Sequence, residues 1–429
     1  MNENFQETLP KVYIAGLNTS DDTKFSYEMQ ELENLCKACS YEVVGSCYQN
    51  ASSVNPSTYF GSGKIKEIRN ICLAEEVSIC IINDELTPSQ MRNIANIFND
   101  EVVVMDRTML VLEIFEKRAK TKEAKLQVLV ARLKYSLPRL IGIRSYMSRT
   151  TGGASTATRG AGETKLELDR RHIKEQILKA EKELEAIKKV RLTSRKARKN
   201  NQVPVVALVG YTNAGKSTIM NYFINHYRDK KSDKEKEVYE KDMLFATLET
   251  ATRSIVLDNN HHFLLTDTVG FVSKLPHHLV ESFKSTLEEI TEAALLIHVV
   301  DASSPFFLEQ MTTTKDVLVS LGAQTIPTIT FYNKMDLVKC KELLGLTISD
   351  IQGSKYEISS YENLKNSIDE TLFKDYFLTS FLIPYEKTGI YNYLKDNYEV
   401  VSNEFTDRGI LVKAYVHKKE INHYHEYIL

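Results

Sequence analysis

The residues best suited to chemistry form a Gly-x-x-x-x-Gly-Lys-Ser pattern near the centre of the chain. It follows an apolar, β-branched run and precedes a segment with helical character, which is the context of a phosphate-binding loop. Gly210 and Gly215 allow the backbone to wrap around an anion, and the helix N-terminus adds partial positive charge. Lys216 supplies a charge for the β- and γ-phosphates, and the Ser217 hydroxyl can bind Mg²⁺. The predicted loop comprises Gly210, Tyr211, Thr212, Asn213, Ala214, Gly215, Lys216 and Ser217.

An Asp-x-x-Gly pattern follows at the end of an apolar strand. Asp267 can hold Mg²⁺ through water, and the Gly270 N–H can meet a γ-phosphate. This element comprises Asp267, Thr268, Val269 and Gly270.

A third pattern reads a guanine base. Asn333, Lys334, Met335 and Asp336 follow a short strand at 329–332. The Asp336 carboxylate can accept from the ring N–H and the exocyclic amine of guanine, whereas adenine has an acceptor there and no amine. An unpaired buried carboxylate is costly, so discrimination is strong. Asn333 would tie this loop to the phosphate loop, and the stem of Lys334 can lie over the base.

A weaker fifth element consists of Ser359, Ser360 and Tyr361, which follow a predicted strand at 356–358 and would contact the base through backbone N–H groups. These patterns, in order and at strand ends, predict a GTPase domain. Water would attack the γ-phosphate in line, with charge stabilised by Lys216 and loop N–H groups.

The water-orienting residue is missing from its usual place. Many GTPases carry glutamine immediately after Asp-x-x-Gly, and this chain has Phe271. We therefore expect slow hydrolysis by the free enzyme. Asn213 occupies the loop position that helps hold K⁺ in related GTPases without the glutamine, so potassium is a further predicted cofactor beside Mg²⁺.

Composition limits the remaining possibilities. A chain of 429 residues with 42% hydrophobic residues should form more than one domain. No apolar run approaches the roughly 18–20 residues of a membrane span, and no apolar N-terminal segment suggests export, so a soluble cytoplasmic protein is expected. Six cysteines make no disulfide framework, and Cys36 and Cys39 lie on an amphipathic helix, which favours packing over zinc or redox chemistry.

Charge is distributed unevenly. The net charge is −2, yet residues 117–200 contain 24 Lys and Arg against 8 Asp and Glu. This bias favours a polyanionic partner such as RNA, although a solvated helical face is the alternative. A membrane surface is less favoured because no large aromatic anchors accompany the basic cluster. The cluster consists of Lys188, Lys189, Arg191, Arg195, Lys196, Arg198 and Lys199.

Four regions follow from the patterns. Residues 1–115 alternate strand and helix, which predicts a small parallel sheet, and residues 116–200 predict two antiparallel helices joined by a Gly-rich loop. Residues 201–377 form the GTPase domain, of mixed, mostly parallel α/β type with helices on both faces. Residues 378–429 predict a small α+β module with one helix and a hairpin. Gly61-Ser62-Gly63-Lys64 is not interpreted as a second phosphate loop, since no clear strand precedes it.

The chain resembles the HflX family of ribosome-associated GTPases over nearly its whole length. The similar segments are 83–93, 106–108, 125–128, 158–164, 169–171, 245–249, 267–271 and 275–277. Ala161 stands where the family usually has proline, and Glu249-Thr250 replaces the usual Asp-Pro. The resemblance identifies a switch I segment, in which Thr247 would be the second Mg²⁺ ligand and, with Lys216 and Gly270, a catalytic residue. That segment consists of Phe245, Ala246, Thr247, Leu248 and Glu249.

The resemblance implies a GTP-dependent stress-response factor that binds the large ribosomal subunit and separates stalled ribosomes into subunits. The N-terminal and helical regions would contact ribosomal RNA, with no DNA partner, and a monomer is expected. Two alternatives remain: a ribosome-assembly GTPase that splits nothing, and an RNA-binding module with a vestigial GTPase. The second alternative is disfavoured because the residues predicted to bind phosphate and Mg²⁺ are all present. They are Lys216, Ser217, Thr247 and Asp267.

Overall fold

The computed structural model describes residues 9–19, 22–99, 101–140, 162–200, 203–227, 245, 251–258, 261–274, 276, 289–338, 350–354 and 356–429; for 162–166 and 190–200 it describes the backbone alone. The chain forms two compact units. The first unit comprises Met1–Lys189, Lys241–Glu249 and Val269–Thr286, and the second comprises Val190–Glu240, Thr250–Thr268 and Leu287–Leu429. The α/β fold class predicted from the sequence is confirmed.

The first unit is built on a four-stranded parallel sheet in the order β2-β1-β3-β4. Its strands are β1 (Lys11–Asn18), β2 (Glu42–Asn50), β3 (Ile79–Ile82) and β4 (Val103–Asp106). Its helices are α1 (Asp22–Ala38), α2 (Ser62–Ala74), α3 (Pro88–Phe98) and α4 (Arg107–Arg118). After its exposed first residue, strand β1 is buried along its length, as expected for a central strand covered on both faces.

Side-chain caps fix where the helices of this unit begin. Thr87 and Gln90 form a capping box at the start of α3, with Pro88 at the first helical position. The Asp106 carboxylate accepts from the Met109 N–H and so starts α4 directly at the end of β4. Helix α4 was not predicted from the sequence, and it runs across residue 115, the predicted end of the first region.

Two antiparallel helices follow, and the second of them extends past Lys189, where the first stretch of the first unit ends. Helix α5 spans Lys122–Ser136 and helix α6 spans Gly162–Asn200. Leu133 and Leu140 pack on Ile173 and Ile177, and the start of α5 forms an ion pair between Lys122 and Glu183. The predicted pair of helices is therefore present.

The sequence predicts a single apolar stripe on this helix, formed by Leu126, Leu129, Leu133 and Leu137, and this prediction needs correction. Leu129 is 40% exposed, whereas Ala124, Val128, Ala131 and Tyr135 are buried. Helix α5 therefore buries a second face that the leucine spacing did not reveal. The Gly-rich segment 148–161 lies outside the described residues, as do the side chains of the basic cluster beyond Lys189.

A six-stranded sheet forms the centre of the second unit, in the order β10-β9-β8-β5-β7-β6. The strands are β5 (Val205–Gly210), β6 (Ala251–Val256), β7 (His262–Asp267), β8 (Leu295–Asp301), β9 (Thr328–Asn333) and β10 (Ile351–Gln352). Only β6 is antiparallel to its neighbour among these described strands.

Helices cover both faces of this sheet. They are α7 (Lys216–His226), α8 (Phe307–Leu321) and α9 (Ile358–Leu372). Phe223 of α7 and Leu364 of α9 share one core cluster, while Phe307 of α8 packs against a separate cluster containing Val300. No helix in the described part of the chain is long and apolar enough to cross a membrane.

A three-stranded antiparallel sheet, ordered β11-β13-β12, ends the chain. It consists of β11 (Tyr376–Ile383), β12 (Glu399–Thr406) and β13 (Gly409–His417), with helices α10 (Thr388–Asn397) and α11 (Lys418–His423). The predicted helix and hairpin are present. Strand β11 was missed because the sequence predicts a last helix from Tyr361 to Tyr376, whereas α9 ends at Leu372. The aromatic run that follows α9 pairs with β13.

Candidate nucleotide site

The phosphate loop connects β5 to α7, and two close approaches require its glycines. Gly210 has φ +144°, and a Cβ there would lie 2.2 Å from the Val299 carbonyl oxygen. Gly215 has φ +98°, and a Cβ there would lie 2.1 Å from Asn333 Nδ2. No side chain can be added at either position without moving the backbone or the guanine loop.

Lys216 is buried inside the loop that it serves. Its ammonium donates to the carbonyl oxygens of Gly210 at 3.1 Å and Tyr211 at 2.7 Å. Burial lowers the pKa of Lys216 to about 8, Asp267 opposes that shift, and Lys334 adds to it. A bound phosphate would supply the negative charge that favours the protonated lysine.

Ser217 and Asp267 form a pair of oxygen groups that suits Mg²⁺. The Ser217 hydroxyl donates to Asp267 Oδ2 at 2.7 Å, and Asp267 is fully buried at the end of β7. A hydroxyl and a carboxylate are hard oxygen groups of the kind Mg²⁺ prefers. Of the predicted switch I segment only Phe245 is described, so Thr247, Ala246, Leu248 and Glu249 lie outside the described residues.

The other loop residues have distinct environments. Tyr211 and Ala214 are buried, and Asn213 is exposed with φ +61°. The buried Thr212 hydroxyl has no hydrogen-bond partner among the residues that the structure describes. Thr268 donates its hydroxyl to the Leu208 carbonyl at 2.6 Å and thereby anchors the end of β7 to β5.

The guanine loop is bonded directly to the phosphate loop. Asn333 Nδ2 donates to the Ala214 carbonyl at 2.8 Å, which is the link the sequence predicted. Lys334 adopts the left-handed conformation, with φ +61°, Met335 is buried, and Asp336 is exposed. The exposed Asp336 carboxylate is thus accessible to a ligand.

The fifth element was placed incorrectly. Residues 356–358 form no strand, since α9 begins at Ile358 and includes Ser359, Ser360 and Tyr361. The Ser360 N–H donates to the Glu357 carbonyl, and Tyr361 is buried in the core against Phe331, so these groups are committed to the helix and the core.

The loop after β10 occupies the place that this element should have. The Gly353 N–H donates to the Tyr332 carbonyl at 2.8 Å, and the Met335 N–H donates to the Gly353 carbonyl at 3.1 Å. Gly353 and the buried Ser354 therefore lie directly beside the guanine loop. The two-residue strand β10 was too short for its hydrophobic pattern to be recognised from the sequence.

The segment that follows Asp-x-x-Gly belongs to the first unit. Val269 and Gly270 are buried, and Phe271 is 2% exposed, so its ring is committed to packing. Phe245 also lies in this unit, with its ring edge-to-face on Phe115 at a centroid distance of 4.8 Å. Phe245 of the predicted switch I segment and Phe271 after Asp-x-x-Gly are therefore both buried in the first unit.

Ser273 and Lys274 bind at the carboxyl end of the first unit's parallel sheet. The Arg107 guanidinium donates to Ser273 Oγ at 3.0 Å and also pairs with the buried Glu31. The Lys274 ammonium contacts Glu28 Oε2 and Asp84 Oδ1, each at 2.7 Å. Polar groups at strand carboxyl ends form the usual ligand crevice of open α/β sheets, and here that edge holds a segment of the same chain.

Sequence reasoning missed these ion pairs, although Asp84 and Arg107 lie in segments singled out by the family resemblance. The signal was a set of charged residues directly after strands β3 and β4. Arg107 Nη1 also donates to Asn83 Oδ1 at 2.9 Å, so the buried guanidinium is satisfied from several sides.

Two other segments weighed in the sequence make contacts within the first unit. Cys36 and Cys39 are fully buried and unpaired, and burial raises the pKa of the Cys39 thiol to about 12, so both cysteines are packing residues. In the segment 61–64, which was not interpreted as a second phosphate loop, the Gly61 N–H donates to the Gln49 side chain, and Lys64 forms an ion pair with Glu67.

The chain is 43% identical over 405 residues to the GTPase HflX of Caldanaerobacter subterraneus subsp. tengcongensis, covering 94% of this chain and 90% of that protein. The chain belongs to the HflX family. The GTPase HflX of Lacrimispora saccharolytica is 37% identical, with coverage of 96% and 94%. That of Alkalihalophilus pseudofirmus is 44% identical, with coverage of 86% and 84%.

Three family models match the chain between residues 26 and 334. They are described as GTP-binding GTPase N-terminal for residues 26–116, GTP-binding GTPase Middle Region for 118–198, and 50S ribosome-binding GTPase for 205–334. Among solved structures, a GTP-binding protein from Sulfolobus solfataricus in complex with GDP is 25% identical, with a TM-score of 0.43 and coverage of 85% and 98%. As a member of the HflX family, the protein binds guanine nucleotide and hydrolyses GTP.

His298 gives the nucleotide-binding unit of this HflX-family protein a measurable pH dependence. The side chain is 3% exposed on β8, and burial, followed by Lys315 and Lys216, lowers its pKa from 6.5 to about 4. Between these values the unfolded state binds more protons than the folded state, so stability falls as the pH falls from 6.5 to 4.

The free energy of unfolding should decrease between pH 7 and pH 5, and we expect this decrease to be smaller by about 2 kcal/mol in His298→Leu than in the wild type. Denaturant unfolding of both proteins at the two pH values measures the difference. His226→Leu, at an exposed histidine of α7, is the control and should leave the pH dependence as in the wild type. Equal pH dependence in wild type and His298→Leu would show that folding does not change the pKa of His298.

Proposed function

We propose that this protein is a GTP-driven factor that binds the large ribosomal subunit and separates stalled ribosomes into subunits. Family membership, with a GTPase domain of the 50S ribosome-binding type, is the observation that carries the proposal. The basic helical region supports an RNA partner, because its net charge of +16 can neutralise phosphates. A cytoplasmic, monomeric protein fits this role.

The nucleotide chemistry follows from the loop geometry. Lys216 and the loop N–H groups would stabilise charge on the γ-phosphate during in-line attack by water. Ser217 and Thr247 would hold Mg²⁺, with Asp267 nearby, and the bound ion would neutralise phosphate charge. With Phe271 buried, water must be oriented by another group, and the ribosome is the proposed source of that group.

Communication with the partner would run through the segment held by the first unit. Gly270 lies three residues before Ser273 in the chain. A Gly270 N–H drawn to a γ-phosphate would pull on a segment fixed by Arg107 and Lys274, and loss of the phosphate would release it. The ion pairs of Lys274 would then be the contacts within the first unit that respond to the loss of phosphate.

The test is sedimentation of intact ribosomes through a sucrose gradient after incubation with the protein and either GTP, GDP or a non-hydrolysable GTP analogue. We expect conversion of intact ribosomes to subunits with GTP and its analogue and none with GDP. A matched variant, Glu28→Gln with Asp84→Asn, removes both partners of Lys274 and should reduce splitting at least about fivefold while GTP still binds.

Glu33→Gln, at an exposed glutamate of α1, serves as the control. Ribosomes that stay intact while the protein sediments with immature large subunits would replace the proposal with a role in ribosome assembly. Failure of GTP turnover under all these conditions would point to an RNA-binding module with a vestigial GTPase.

Base recognition gives a second test. We expect Asp336→Asn to weaken GTP and GDP binding by at least about tenfold and to favour xanthosine triphosphate, because the amide can donate where xanthine presents an oxygen. Titration calorimetry with each nucleotide measures the change. Unchanged GTP affinity would mean that Asp336 does not face the base.

A potassium ion beside Asn213 gives a third test. Such an ion would stabilise the transition state with the positive charge that an arginine finger supplies in other GTPases. Turnover should be faster in KCl than in NaCl at equal ionic strength, and Asn213→Ala should remove the difference. Equal turnover of the wild type in both salts would exclude potassium as an activator.

A further inference from the structure

We propose that Asp301 is a positioning residue for the guanine base: it holds the side chain of Lys334 so that its methylene stem lies across the plane of the base. The proposal rests on the assignment of residues 333–336 as the guanine loop. Asp301 belongs to none of the nucleotide-binding patterns of the sequence. It lies at the end of β8.

The geometry ties Asp301 to the guanine loop through both side chain and backbone. Asp301 Oδ2 accepts from the Lys334 ammonium at 2.8 Å. Asp301 is the register partner of Asn333, and the Ala302 N–H donates to the Asn333 carbonyl at 3.0 Å. Asp301, which binds the Lys334 side chain, is therefore held beside Asn333, the residue before Lys334, by the pairing of β8 and β9.

The Asp301 carboxylate is itself held in place before it meets the lysine. Its Oδ1 accepts from the Ser303 N–H at 3.0 Å and from the Ser303 hydroxyl at 2.5 Å. With one oxygen fixed in this way, the other oxygen presents a defined direction to Lys334. An acceptor oriented in advance lowers the entropy lost when a long side chain is ordered.

The backbone of Lys334 supports a functional role for the pair. Lys334 adopts φ +61°, a conformation that non-glycine residues rarely take outside functional sites and turns. Its side chain is 25% exposed and that of Asp301 is 18% exposed, so both charges are mostly shielded from water. Fully exposed ion pairs contribute little, but a partly shielded pair with fixed partners can set the orientation of a side chain.

The charges of Lys334 and Lys216 also favour a positioning role for Asp301. Lys334 lies close enough to Lys216 that its positive charge disfavours the charged form of Lys216 and lowers the pKa of Lys216. A lysine over the base must therefore direct its ammonium away from the phosphate-binding lysine while its stem covers the ring. Asp301 supplies a counter-charge that does this, and it lies on a strand next to β5, which carries the phosphate loop.

A double-mutant cycle on the full chain tests the proposal, with GTP, GDP and inosine triphosphate as probes. Asp301→Asn retains an acceptor for Ser303 but removes the charge. We expect it to raise the Kd of GTP and of GDP by the same factor, about tenfold. In the background of Lys334→Met, which keeps the stem and removes the ammonium, Asp301→Asn should change Kd less than about twofold.

Two further readouts separate positioning from a general disturbance of the loop. Inosine lacks the exocyclic amine read by Asp336, so the ratio of GTP to inosine triphosphate affinity should stay at its wild-type value in Asp301→Asn. The kinetic loss should fall mainly on KM, because the proposed contact is with the base. Asp316→Asn, which removes an exposed charge from α8, is the matched control and should not change Kd.

Three outcomes overturn the proposal: unchanged Kd in Asp301→Asn, an equal loss in the Lys334→Met background, or loss of discrimination against inosine. Asp336→Asn, measured in parallel, distinguishes the levels of failure. If Asp336→Asn shifts preference to xanthine and Asp301→Asn has no effect, the assignment of residues 333–336 as the guanine loop is supported and the proposed role of Asp301 is wrong. If neither variant has an effect, the assignment of the guanine loop itself is wrong.

Discussion

The nucleotide site depends on the close approach of Asn333 to the phosphate loop. The Asn333 amide donates to the Ala214 carbonyl and occupies the space where any side chain at residue 215 would lie. Gly215 thus serves two needs at once, a left-handed backbone and room for a neighbouring loop. Since β9 delivers Asn333 and β5 delivers the phosphate loop, the parallel order of the central strands determines whether base and phosphate can be bound together.

The same principle operates in the first unit with a different result. Parallel strands bring their carboxyl ends to one edge, where the following residues can converge on a ligand. In the second unit the converging groups suit a nucleotide. In the first unit Arg107 and Asp84 converge on Ser273 and Lys274 of the same chain. One type of sheet edge therefore presents converging groups in both units, and in the first unit those groups bind a segment of the same chain.

The sequence allowed the fold class, most strands and the phosphate, Mg²⁺ and guanine patterns to be predicted, because each depends on local spacing at a strand end. Other features depend on contacts between distant residues. The second buried face of α5 follows from packing on α4, and the loop of Gly353 and Ser354 is defined by its bonds to β9 and the guanine loop. Lys274 meets Glu28 across more than two hundred residues of chain, and no local pattern reports such a pair.

The bonds of Lys216 to its own loop fix the direction in which its charge is presented. An ammonium has three N–H donors, and the carbonyls of Gly210 and Tyr211 accept two of them. The loop itself therefore holds this long side chain in one orientation, so little side-chain entropy is lost when the remaining N–H meets a phosphate oxygen.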